Sequence, residues 1–378
     1  MRRIAFILVM VWFLLPTSGV GQTYKQLWDE VAELKLKDMP KSVIAKVQQI
    51  YAKGQAEKNL PQMMAAFMVE ESYNSQLNSL YPAEEKNRLV EWADTETDSI
   101  GKAVLNCMVA KMMADDNTKD VDGLLDRIDQ TLSCKALLLA TSAADFMPMT
   151  VSTDFSKNYF SDNMYDLLSR ESIALLQGNW NLSGNPKVEK KILSIYDTLI
   201  SCYDELNNPE AALLSKEARI TYQYQHASYK FRIKGEEAVQ AYQGLIDEYS
   251  DLDICYDVHI KLAMLYHNLG QNKKAVDLLQ SAVKKYRKSS YRKVLNNNIG
   301  YISSPYVYVE FDHFYPMKKI PMEVKFKNLK EFTLETYRLD VHAYDVQEKT
   351  EDVKFETVIR KYGKRIARQI YTLPGKGD

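Results

Sequence analysis

The stretch that most constrains this chain is 259–288, two helical patterns separated by one glycine. Leu262, Ala263 and Tyr266 put small and bulky side chains on one face of a first helix, and Ala275, Leu279 and Ala282 do so on a second. Gly270 falls between them, where a left-handed backbone costs glycine little. Small residues let two helices approach closely, and bulky ones fill the space beside them. A pair of this size cannot bury its apolar stripe alone, so it needs neighbours built on the same plan.

The chain supplies them. Ala275, Ala282 and Tyr286 stand at offsets 0, 7 and 11 along the second helix. Ala211, Ala218 and Tyr222 repeat that spacing, and Ala238, Leu245 and Tyr249 repeat it with leucine in the middle. Tyr203 precedes Ala211 much as Tyr266 precedes Ala275, so 190–288 carries two helix pairs with an extra helix between them. These positions resemble the tetratricopeptide repeat, lacking only its terminal proline, where Arg287 or Lys288 stands. The resemblance implies stacked helix pairs that bind a protein partner. The uneven spacing implies a compact array and not a long superhelix.

The upstream half also reads as helix after helix. Tyr24, Leu27, Trp28, Val31 and Leu34 form one stripe, and Val43, Ile44, Val47, Ile50 and Tyr51 form the next. Pro40, Pro61 and Pro82 restart the chain, because proline at a helix start forfeits no hydrogen bond. Met63, Met64, Phe67 and Met68 are expected on an inner face, as core packing and not as a ligand site. Gly101 is expected to divide the helix holding Leu89, Val90 and Trp92 from the one holding Val104 and Leu105. Residues 140–165 read as a long loop or a crossing strand, and 177–186 as another loop.

Near Ser303-Ser304-Pro305 the period changes to two. Val307, Val309 and Phe311 alternate with polar neighbours, as do Met322, Val324 and Phe326, then Phe332 and Leu334. A further strand covers Arg365 to Leu373. A sandwich usually takes about seven strands, more than this segment holds. The fold class is therefore mainly α, an irregular tetratricopeptide-like helical array followed by a small, incomplete antiparallel β-sandwich. The regions are 1–21, 22–140 (helical), 141–189 (loop-rich, with a helix), 190–302 (repeat-like helices) and 303–378 (β).

Residues 1–21 have the pattern of a cleaved signal peptide. Arg2 and Arg3 precede an apolar run from Ile4 to Leu15, and Gly19 and Gly21 are the small residues before a cut. Twelve residues span about 18 Å of helix, short of a ~30 Å hydrocarbon core, so stable insertion after cleavage is not expected. The expected location is periplasmic or extracellular. Export permits disulfides among Cys107, Cys134, Cys202 and Cys255, and three pairings remain open.

Catalytic, metal and cofactor motifs do not emerge. His259 and His267 are eight apart without the His-Glu-x-x-His step. Asp251-Leu252-Asp253 reads as a helix N-cap rather than a calcium loop. Arg360, Lys361, Lys364, Arg365 and Arg368 read as a solvated face. A net charge of −1 gives no field for nucleic acid.

Three landmarks resemble the N-terminal part of bacterial alpha-2-macroglobulin-like proteins of the Bacteroides type. They are Tyr24-Lys-Gln-Leu-Trp28 with Lys37-Asp-Met-Pro-Lys41 and Ile50-Tyr-Ala-Lys53; Lys135-Ala-Leu-Leu-Leu139 with Asp145-Phe146 and Met164-Tyr-Asp-Leu-Leu168; and Lys327-Asn328-Leu329 with Tyr337-Arg338-Leu339. The resemblance implies an exported opening segment of a protease trap. The family's thioester motif Cys-x-Glu-Gln is absent here, so trapping does not carry over to this chain by itself. The expected function is a non-catalytic interaction module of that family, completed by a protein partner or by sequence beyond Asp378. The alternative is an autonomous tetratricopeptide adaptor for a peptide or envelope protein.

Overall fold

A computed structural model describes residues 22–77, 82–115, 120–146, 159–311, 321–342 and 355–374. The signal-peptide expectation for 1–21 lies outside them. The chain is mainly helical, with two small antiparallel sheets after the helices, and it divides into two compact units between Arg232 and Ile233.

The first unit holds α1 (Tyr24–Leu36), α2 (Pro40–Glu57), α3 (Leu60–Leu77), α4 (Pro82–Thr95), α5 (Ser99–Asp115), α6 (Val121–Leu132), α7 (Lys135–Ala140), α8 (Met164–Gly178), α9 (Pro186–Glu205) and α10 (Pro209–Gln225). Most successive helices pack on one another, α7 also touches α5, α8 rests on α5 and α6, and α9 reaches α6. Leu27, Val31, Val43, Val47, Ile50 and Ala66 make the core of the first three helices. Trp92 adds edge-to-face contacts with Tyr51 and Phe67, at 6.0 and 5.6 Å between ring centres. Met64 and Phe67 are buried as expected, whereas Met68 turns to solvent.

One turn recurs. At the end of α1 Asp38 is left-handed (φ 52°), and the next amide, Met39, donates back to Leu34 O at 3.1 Å. Lys58 after α2 (φ 53°) and Asn207 after α9 (φ 51°) repeat it, with Asn59 donating to Gly54 O and Asn208 to Tyr203 O. This closure satisfies orphan carbonyls and reverses the chain within a few residues. The break near Gly101 is made differently. Glu96 Oε1 accepts from the Thr97 and Asp98 amides, and Asp98 then accepts from the Gly101 amide at 2.7 Å. Gly101 thus lies inside the first turn of α5, where a Cβ would strike Leu60, and it does not divide the helices.

Buried carboxylates fasten the irregular connections. Asp166 is sealed from solvent and accepts from Tyr203 Oη (2.7 Å), the Ser161 amide (2.9 Å) and Arg170 Nε. Arg170 also stacks over Phe160 at 4.2 Å, which pins residues 160–163 across α8 and α9. Glu189 accepts from the amide and hydroxyl of Ser228, tying α9 to the segment after α10. All four cysteines are free thiols.

The second unit holds α11 (Gly235–Glu248), α12 (Tyr256–Asn268), α13 (Asn272–Lys285), α14 (Ser289–Ser303), β1 (Tyr306–Phe311), β2 (Met322–Lys327), β3 (Glu331–Leu339), α15 (Phe355–Tyr362) and β4 (Gly363–Thr372). β1 pairs with β2 and β3 with β4, as two separate sheets of two strands. The sequence reading missed α15, an eight-residue helix whose Val358 is buried. The apolar-inward expectation fails on the first hairpin. Its register puts Val307, Val309, Phe311, Met322, Val324 and Phe326 on one face, yet Val307, Phe311 and Phe326 are exposed.

Two substitutions test these fastenings. Lys58→Gly relieves a left-handed non-glycine residue and should stabilise the first unit by about 0.5–1 kcal/mol, net of glycine's own entropy. Tyr203→Phe removes a hydrogen bond to a buried carboxylate and should cost about 2 kcal/mol. Urea unfolding followed by circular dichroism measures both.

Candidate functional site

The helix pair α12–α13 is built from the residues that the spacing singled out. Leu262, Ala263, Ala275, Leu279 and Ala282 are all fully buried, and Tyr266 is half-buried. Gly270 is left-handed (φ 75°), the Gln271 amide donates to Tyr266 O at 2.8 Å and the Gly270 amide to His267 O at 3.0 Å. The recurrent turn of the first unit therefore closes this pair too.

His259 is buried inside it. Its Nδ1 lies 3.0 Å from Cys255 O, so that nitrogen carries the proton and donates. The ring meets Tyr286 edge-on at 5.4 Å. Burial holds the imidazole below its ordinary pKa, although the Cys255 carbonyl pulls the other way. His267 sits apart and bonds Asn272 Oδ1. The two histidines do not converge, and no group of three or more potential metal ligands occurs among the described residues.

Asp251-Leu252-Asp253 does not cap α12. A 3-10 turn over Asp253–Cys255 intervenes, and Cys255 holds the cap position without a side-chain bond. Asp253 instead pairs with Lys288 at 3.1 Å. Of the basic run near the C-terminus, Arg365 and Arg368 converge on Glu335 at 2.9 and 3.7 Å across the β3–β4 hairpin.

The helix α14 falls within the helices expected over 190–302, and what sequence reasoning missed is its packing on α12. Tyr291 near its start stacks on Tyr256 at the start of α12, 4.2 Å apart and 19° from parallel. Tyr301 near its end meets His267 near the end of α12 at 5.8 Å. The two helices therefore run side by side in the same direction, with α13 packed against both. First helices of successive repeats stand in this relation. The available signal was aromatic: Tyr291 and Tyr301 lie where they meet Tyr256 and His267.

The first hairpin is fastened to this assembly at one corner. Lys327 Nζ donates to Tyr301 O at 3.1 Å and lies over the Tyr301 ring, while Asn328 Nδ2 donates to Ser303 O at 2.9 Å. Lys288 lies over the Tyr291 ring at 5.0 Å. The resulting face carries tyrosines, His267 and two lysines, and Tyr301 is 59% exposed.

Residues 257–289 match the tetratricopeptide repeat family. The match spans α12, the turn and α13, and every repeat-defining residue lies within it. Among solved structures the chain is similar to a tetratricopeptide repeat protein from Parabacteroides merdae, at 12% identity and a TM-score of 0.31, covering 74% of this chain and 87% of that one. No curated protein matches the chain. The tetratricopeptide character thus has a family match over one helix pair, and nothing in these findings shows a relationship to alpha-2-macroglobulin-like proteins.

The buried histidine has a pH consequence. With its folded pKa depressed, the unfolded chain binds more protons below about pH 6.5, so stability present above that value is lost as pH falls toward the folded value. Asp257 acts oppositely. Burial raises its pKa, so its contribution is present at low pH and declines as pH rises above the ordinary carboxylate range. Melting at pH 7.5 and 5.5 should show a drop in midpoint that shrinks in His259→Gln; an equal drop in both proteins would refute the assignment.

Proposed function

We propose that this chain is a non-catalytic protein-interaction module that works outside the cytoplasm. The observation that carries this reading is the parallel pair α12 and α14, held by Tyr256–Tyr291 and His267–Tyr301. A tetratricopeptide pair followed by a third helix in register provides a rigid surface, and its tyrosines offer large contact area at low entropy cost. The location rests on the leader-like pattern of residues 1–21. A photo-crosslinking residue at Tyr291 or Tyr301 should give a discrete protein adduct in cells, and the same residue at Lys284 should not. Absence of any adduct at both tyrosines would remove the reading.

The apolar face of the β1–β2 hairpin supports a second reading. Val307, Phe311 and Phe326 are exposed on one side, as expected of a sheet whose partner strands are supplied elsewhere. This fits the sequence resemblance to the opening segment of an alpha-2-macroglobulin-like protease trap. Reading the coding sequence past Asp378 tests it. Further alternating strands and a Cys-x-Glu-Gln support it, and unrelated sequence overturns it.

A further inference from the structure

Between α5 and α8 of the first unit lies a cleft of about 470 Å³, within the range of specific ligand sites. Its walls include Cys107 and Leu175, and burial pushes the Cys107 thiol up to about 12, so it stays an uncharged apolar surface. Lys111 on α5 and Glu171 on α8 line the same cleft with opposite charges, both within electrostatic reach of that thiol. Trp180 completes the lining and is 81% exposed.

The backbone turn that carries that indole is anchored on both sides. Trp180 opens a 3-10 turn, Trp180–Leu182, whose far end is anchored by the buried Leu182. On the near side Asn179 Nδ2 donates to Ala114 O at 2.7 Å, and its Oδ1 accepts from the Asn181 amide. A large aromatic side chain held in water on a fixed turn, beside an open cleft, is ready to stack without ordering a loop. Gly178 adds room, since a Cβ there would meet nothing within 4 Å.

We propose that this cleft binds a peptide segment of a partner protein, taking one bulky apolar or aromatic side chain against Trp180 and Leu175. The two charges favour this occupant. Lys111 and Glu171 complement flanking residues of opposite sign on the peptide, whereas a ligand of one sign would be repelled by one of them. The site is on the first unit and does not depend on the α12–α14 surface.

The test uses the full chain with the capped tripeptides acetyl-Lys-Phe-Glu-amide and acetyl-Glu-Phe-Lys-amide, with alanine in place of phenylalanine as controls. Tryptophan emission is the readout, taken as the difference from Trp180→Phe, which subtracts the signal of Trp12, Trp28 and Trp92. One phenylalanine peptide should give a saturable blue shift, with affinity about tenfold above its alanine control. Gly178→Leu fills the cleft at a helix position that tolerates leucine, so it should keep the circular dichroism spectrum of the fold but lose the peptide-induced shift. Absence of a saturable shift with either order, or an equal shift in Gly178→Leu, would overturn the proposal. A response to maltotriose and to neither peptide would overturn the peptide assignment in favour of a sugar.

Discussion

The helical fold depends on a single closure at four helix ends. Asp38, Lys58, Asn207 and Gly270 each adopt the left-handed conformation, and the following amide reaches back to a carbonyl five residues earlier. That bond satisfies the end of one helix and delivers the chain into the next. It sets the short connections that let α1, α2 and α3, α9 and α10, and α12 and α13 lie against one another. Only Gly270 is free of steric cost in this conformation. At the other three positions the packing of the flanking helices must hold the residue in place.

The packing follows from alanine. Ala66, Ala211, Ala238, Ala275 and Ala282 show no exposed surface, so each marks where one backbone approaches another element closely. Larger residues fill the flanks of these contacts, as Leu279 does in α13. Polar fasteners take over where the chain leaves this pattern. Asp166 gathers a tyrosine hydroxyl, a backbone amide and an arginine, and Glu189 gathers both donors of Ser228. Buried carboxylates are costly unless their acceptor sites are filled, so these two define single positions for the connections they hold.

Much of this was legible in the sequence. Apolar spacing located the helices, Pro40 and Pro82 begin α2 and α4 and Pro61 is the second residue of α3, and the alternation after Ser303 located the strands. What was hidden followed from chemistry shared by several outcomes. The recurrent turn was seen only at Gly270, because aspartate, lysine and asparagine do not announce a left-handed backbone. The carboxylate of Asp98 rather than Gly101 set the start of α5. The α14 surface depended on ring contacts between helices, which one-dimensional spacing does not encode. The strands were legible, but their separation into two hairpins was not, since alternation fixes a face and leaves the pairing open.

The order of these contacts along the chain also governs how the helices are made. In the first unit most helices pack on the one that precedes them, and the reaches further back are short: α7 to α5, α8 to α5 and α6, and α9 to α6. Such a chain needs little long-range search. As it emerges from synthesis, each new helix finds its partner already folded, and its apolar stripe is covered about one helix length after it appears. The β3–β4 pairing is the exception, because β3 must wait for a strand that lies beyond α15. The interval between those two strands is the period in which the growing chain carries an unpaired edge.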